Sequence, residues 1–135
     1  MAKILLGLLL TLHGLMHAGL AATNIPGDPE PHPRTFFTRS RPLSALGLSE
    51  AGSHFLGLVL AALAALGFTA SGFGLFGVPF LATSWRAITV ESAIVSALLI
   101  LLFWNPLLTI GAIVDAAILA SPLWLQWPPP SLFGS

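Results

Sequence analysis

The chain has 135 residues, of which 56% are hydrophobic and 7% charged, and its five basic residues balance five acidic ones. A soluble domain carries about 25% charged residues, so this composition indicates an integral membrane protein. The balanced charge offers no basic surface for a phosphate backbone, and we expect no nucleic-acid partner. The absence of cysteine excludes thiol nucleophiles, iron–sulfur clusters and Cys-ligated zinc.

The first apolar segment covers residues 4–22 and follows Lys3. A signal peptide has a comparable length, but two histidines, His13 and His17, interrupt the apolar character that such a peptide needs. We therefore interpret this segment as a first transmembrane helix.

A long polar loop is predicted for residues 23–49, which hold five of the eleven prolines. Proline removes a backbone donor and favours an extended conformation in the residue before it, which excludes helix over 26–33. We expect Phe36, Phe37 and the 43–48 segment to lie on the headgroup region of the membrane. The loop is also the most basic connection, because it contains Arg34, Arg39 and Arg41.

Three further spans are predicted at 50–69, 84–104 and 106–125, with a glycine-rich turn at 71–79. Ser49 is the expected N-cap of the second span. At 1.5 Å per residue, the third span covers about 28 Å between its terminal tryptophans, close to the roughly 30 Å thickness of the hydrocarbon layer. Residues at the expected membrane interfaces are Trp85, Trp104, Trp124 and Trp127.

The predicted fold is an all-α, four-transmembrane-helix bundle that forms a single integral membrane domain over residues 1–135. Four spans put both termini on the same side of the membrane. The three loop arginines outnumber the two basic residues on the other side, Lys3 and Arg86. The positive-inside rule therefore favours a cytoplasmic loop and external termini for a multi-pass protein of the cell membrane.

Ionisable residues within the spans form the candidate site, because each buried charge costs about 2.5–3.5 kcal/mol on insertion scales. Helical rise places His13 and Asp115 near the midplane, with Glu91 nearer the interface. His17 and His54 lie at a similar level on the loop side. His13 and His17 share one helix face at a metal-ligand spacing, and a hydrogen-bonded pair at a helix interface fits this spacing equally well. Small polar residues available for bonds between helices are Thr11, Thr89, Ser92, Ser96 and Thr109.

Three functional hypotheses follow from these residues. In the first, His13, His17, Asp115 and Glu91 bind a divalent metal or relay protons. In the second, the protein is a b-type haem anchor with His17 and His54 as axial ligands. In the third, it is a non-catalytic accessory subunit whose polar residues fix helix register, bound to a membrane-protein partner or a second copy. The sequence identifies no substrate, so catalysis is neither predicted nor excluded.

The segment HGLMH at 13–17, together with FWNPLLTIGAIVD at 103–115, resembles a group of small four-helix bacterial and archaeal membrane proteins that are uncharacterised. The resemblance implies a retained first helix and a four-span bundle, and it carries no activity. The architecture is similar to that of DoxX-like proteins only in the number of spans and in size, so no residue roles transfer from that family.

Overall fold

The computed structural model describes residues 1–32, 34–123 and 129, so Trp124, Trp127 and the predicted end of the last span at 125 lie outside the described residues. The regular secondary structure of the described residues is helical, apart from an isolated antiparallel bridge between Asn24 and Thr35. The helices are α1 (Ala2–Ala22), α2 (Arg41–Ala45), α3 (Glu50–Leu75), α4 (Pro79–Ala82), α5 (Trp85–Leu102) and α6 (Thr109–Leu123), the last preceded by a 3₁₀ turn at Pro106–Leu108.

Three helices, α1, α3 and α5, are long and apolar enough to cross a membrane. Their mean hydropathies over an 18-residue window are 1.8, 2.0 and 1.7. The described apolar helix at Pro106–Ser121 is shorter than these three. The structure therefore supports a helical membrane protein, and the fourth span stays a prediction.

The helices expose apolar side chains and bury polar ones. Leu66 and Leu101 are 69% and 70% exposed on the outer surface. Since hydrocarbon offers no hydrogen-bond partners, a chain within a membrane has to satisfy its polar groups internally. The polar residues buried among the helices are His13, His17, Ser53, Ser71, Thr89, Ser92, Ser96 and Asp115.

Consecutive long helices pack in pairs, α1 on α3, α3 on α5 and α5 on α6. Phe76, directly after α3, lies over Gly7 near the start of α1, so these two helices run in opposite directions. The predicted N-cap of α3 is confirmed, because the Ser49 hydroxyl accepts a hydrogen bond from the Gly52 N–H at 3.1 Å.

Helix α3 continues to Leu75, through part of the glycine-rich segment that was expected to form a turn. A side chain at Gly72 would place its Cβ 2.6 Å from the Gly7 carbonyl oxygen of α1, so glycine here permits close approach of two backbones. The helix ends in a Schellman motif at Gly77, whose φ of 99° suits a residue without a side chain. In this motif the Val78 N–H donates to the Phe73 carbonyl at 3.2 Å.

The two phenylalanines of the loop belong to the core, and the expectation that they lie on the headgroup region is wrong. Phe37 is only 1% exposed and packs edge-on against Phe103, with ring centroids 5.8 Å apart. Gly57 makes room for it, because a Cβ there would lie 2.7 Å from the Phe37 Cβ. A hydrogen bond also joins the loop to the end of α5, because the Ser40 hydroxyl donates to the Leu102 carbonyl at 2.6 Å.

Asp28 and Arg34 form an ion pair within the polar part of the loop. The Arg34 Nε and Nη2 atoms donate to the two oxygens of the Asp28 carboxylate, each at 2.9 Å. These bonds hold the pKa of Asp28 well below its usual range. The ion pair therefore contributes its full stabilisation of the folded state at pH values above the ordinary carboxyl pKa of about 3.9. This contribution is lost as the pH falls through the lowered pKa of Asp28.

We predict that Gly14→Ala lowers the free energy of unfolding by about 1–3 kcal/mol, as expected for overpacking. The added Cβ would lie 2.7 Å from the Ala65 carbonyl oxygen and 3.1 Å from the Phe68 Cβ, so α1 has to move away from α3. Gly19→Ala on the same helix is the control, because a Cβ there meets nothing within 4 Å. Equilibrium unfolding in mixed detergent micelles measures both, and equal stability of the two variants would contradict the close packing at Gly14.

Candidate functional site

The two histidines of α1 both point into the bundle and contact each other. Their rings meet edge to face, with centroids 5.1 Å apart and an angle of 86° between the planes. Both side chains are buried. The spacing of His13 and His17, close to one helical turn, gives them a common face, and this face packs against α3.

Phe68 of α3 forms the apolar wall of the site. Its ring centroid lies 4.8 Å from that of His13 in an edge-on arrangement. It stacks on the His17 ring at 5.9 Å, with 9° between the planes. Phe68 is fully buried, so its contacts with both imidazoles lie inside the bundle and restrict their orientation.

Asp115 of α6 is 2% exposed and binds His13 directly. The distance between His13 Nε2 and Asp115 Oδ1 is 2.7 Å, which is typical of a charge-assisted hydrogen bond. With the carboxylate ionised, Nε2–H is the donor and Oδ1 the acceptor. The buried group of His13, His17 and Asp115 that the sequence predicted is therefore present.

Ser96 of α5 extends this pair into a chain of hydrogen bonds. Its hydroxyl makes a short hydrogen bond to Asp115 Oδ2, and its Oγ lies 2.9 Å from His17 Nε2. When the Ser96 hydroxyl donates to an ionised Asp115, His17 Nε2–H is left to donate to Ser96 Oγ. The result is a continuous chain, His13–Asp115–Ser96–His17, that joins α1, α5 and α6.

The second ring nitrogen of His17 stands apart from this chain of hydrogen bonds. Nδ1 is buried and forms no hydrogen bond within the described chain. A cavity of about 20 Å³ lies beside the two histidines, large enough for one water molecule. Besides His13 and His17, the cavity is lined by Met16, Leu20, Phe37, Ile100, Leu108 and Gly111.

The structure places the other two candidate residues elsewhere. Glu91 is exposed on the surface of α5, and among the residues that the structure describes the compact ligand group consists of His13, His17 and Asp115. His54 is half-buried, with Nδ1 3.4 Å from the Phe37 carbonyl oxygen. The cavity beside His17 does not include His54 and is far below the roughly 300 Å³ of a small-molecule site, so the arrangement does not favour haem.

Ser96 is one of several small polar residues in the predicted spans, and only the structure shows that it belongs to the site. A usable signal was present in α5, where Thr89, Ser92 and Ser96 recur at helical spacing and all three are buried. Such a stripe within an apolar helix marks the face that turns towards other polar groups. Phe68 carried no comparable signal, since an apolar residue in a membrane helix is unremarkable.

Comparisons of the chain with protein-family models, curated proteins and solved structures give no match. The resemblance to small four-helix membrane proteins therefore stays a sequence-based prediction. Function has to be inferred from the chemistry of the cluster itself.

We predict that Ser96→Ala lowers the free energy of unfolding by about 1–3 kcal/mol, because it leaves one oxygen of a buried carboxyl group without its partner. Ser53→Ala is the matched control. Ser53 is equally buried, but its hydroxyl has no hydrogen-bond partner among the described residues, so its loss should be almost neutral. Unfolding measurements in detergent would compare the two, and similar losses would show that the Ser96 bonds add nothing to stability.

Proposed function

We propose that this protein is a four-span membrane protein in which the His13–Asp115–Ser96–His17 chain takes up a proton inside the bilayer. The observation that carries the proposal is the continuity of the chain. Three buried titratable side chains and one buried hydroxyl are linked by hydrogen bonds. Chains of His and carboxyl groups are the groups that membrane proteins use to move protons.

The proton step follows from the partners of each atom. A proton that binds His17 Nδ1 makes this imidazole cationic, and Nε2 then releases its own proton to Ser96 Oγ. The Ser96 hydroxyl proton moves at the same time to Asp115 Oδ2. His17 ends neutral, Ser96 is unchanged and Asp115 is protonated, so the cluster has gained one proton. His13 holds the carboxyl group in place through the bond at 2.7 Å.

Charge balance favours a proton over a divalent metal. The cluster contains a single carboxylate, so a divalent ion would leave one net positive charge among apolar helices. Glu91, which would neutralise it, is exposed and lies outside the ligand group. A proton transferred to an ionised Asp115 neutralises the cluster and leaves no such excess.

Infrared difference spectroscopy on the protein in lipid vesicles tests the proposal. We expect a carboxylic-acid C=O band to appear as the pH is lowered from about 9 to about 4, the range in which carboxyl and imidazole groups titrate. The part of this band that is absent in Asp115→Asn belongs to Asp115, because the other four acidic residues remain in that variant. This part should be shifted in Ser96→Ala and unchanged in Ser53→Ala. A carboxyl group that keeps one protonation state throughout would contradict proton uptake and favour a cluster that only fixes helix register.

Metal binding is the second candidate, because one ligand atom from each of His13, His17 and Asp115 lies within 4.8 Å of the others. Two imidazoles and a carboxylate suit a divalent transition metal. This candidate predicts about one metal ion per chain in purified protein, measured by elemental analysis. The ion should be lost in His13→Ala/His17→Ala and kept in His54→Ala, whose side chain lies outside the cluster. Metal-free wild-type protein would contradict it.

The proposed membrane arrangement has four spans in the cell membrane, a cytoplasmic loop and external termini. The basic residues Arg34, Arg39 and Arg41 support this orientation. We also propose that a second copy or another membrane protein covers Glu91, because an exposed carboxyl group on a membrane helix is costly.

A further inference from the structure

The small cavity beside the histidines lies at the loop end of the bundle. Its lining includes Leu20, near the end of α1, and Ile100, near the end of α5. Leu108, in the turn that precedes α6, lines it as well. The loop follows α1 directly and is bound to the end of α5 by the hydrogen bond between Ser40 and Leu102. The cavity therefore lies between the buried cluster and the loop.

Phe37 closes the cavity on the loop side. This residue lines the cavity and is only 1% exposed, so its ring separates the cavity from the water that surrounds the loop. Its carbonyl oxygen lies 3.4 Å from Nδ1 of His54, a half-buried residue near the start of α3. The Phe37 ring thus lies between polar groups of the loop end and the buried imidazole of His17.

The other sides of the cavity are less suited to the entry of a proton. Met16 borders the cavity and is exposed on the outer surface of α1, where a proton would have to cross hydrocarbon. Towards the chain termini, Leu10 is buried one turn before His13. A larger pocket of about 400 Å³ at that end is lined by none of the four residues of the hydrogen-bonded chain. These surroundings favour entry from the loop side.

We propose that protons reach His17 from the loop side, and that the Phe37 ring is the barrier that limits their entry. This inference rests on the proposed proton uptake and adds the entrance to it. Phe37 lies in a turn closed by a hydrogen bond of 3.2 Å from the Thr38 N–H to the Thr35 carbonyl, so rotation of its side chain breaks no hydrogen bond of a helix.

The proton is carried over the last step by water. The cavity volume of about 20 Å³ is sufficient for one water molecule. When the Phe37 ring moves aside, this water molecule gives one proton to His17 Nδ1 and receives another from the loop side. One N–H bond forms, and the water molecule is unchanged at the end of the step.

Deuterium exchange at the imidazole C2 position tests the entrance. Mass spectrometry of the full-length protein in detergent measures it for each histidine, without relying on the Asp115 carboxyl group. Phe37→Ala should accelerate exchange at His17 several-fold, because it removes the ring that closes the cavity. Phe36→Ala is the matched control, since Phe36 is also buried in the loop but does not line the cavity. The exposed His32 is the internal reference and should exchange equally in all variants.

Gly111→Ala tests the entrance in the opposite direction and leaves the loop unchanged. A Cβ at Gly111 would lie 4.0 Å from Cδ1 of Ile100, an ordinary contact, and both residues line the cavity. The added methyl group therefore occupies cavity volume without strain, and exchange at His17 should become slower. Gly19→Ala should leave the rate unchanged, because a Cβ there meets nothing within 4 Å and Gly19 does not line the cavity.

Two results would overturn the proposed entrance. One is an unchanged His17 rate in both Phe37→Ala and Gly111→Ala, and the other is an equal acceleration in Leu10→Ala, which opens the packing at the opposite end. If Phe37→Ala does not fold, the rate in Gly111→Ala decides. Failure of proton uptake is a separate outcome, because the Asp115 band would then be missing from wild-type protein while His17 exchange still responds to both variants.

Discussion

The pairing of Asp115 is the constraint on which the bundle depends. A carboxyl group among apolar helices loses the hydrogen bonds that water would supply, and it has to recover them from other side chains. Its partners come from two different helices, His13 on α1 and Ser96 on α5. The rotation and depth of three helices are thereby fixed relative to one another, because a shift of any one of them would leave a polar atom unpaired.

Small residues make this pairing possible. Gly14 lies between the two histidines and brings α1 against the Ala65 carbonyl and Phe68 of α3. Gly72, nearer the C-terminal end of α3, likewise allows α3 to approach α1 closely at Gly7. Association of helices in lipid depends on such close packing, since lipid chains and leucine side chains are equally apolar. The glycines thus set the distances at which the polar groups meet.

The central members of the site were predictable because helical rise is constant and the membrane fixes the ends of the spans. Depth alone placed His13 level with Asp115. It did not determine rotation about the helix axis, since the spans are apolar on most faces. For this reason Ser96 was not assigned to the site, and His54 was placed with His17 although it contacts Phe37. Phe37 is buried because Gly57 of α3 leaves space for it. This contact between distant parts of the chain cannot be predicted from the residues around Phe37.

The bond between His13 and Asp115 joins residues 102 positions apart, in the first and last of the long described helices. During synthesis the histidines of α1 are made long before their carboxyl partner, and they must be accommodated without it while α3 and α5 are still being added. Synthesis of α6 supplies the missing group and completes the chain of hydrogen bonds. The most polar contact of the bundle can therefore form only after α1, α3 and α5 have all been made.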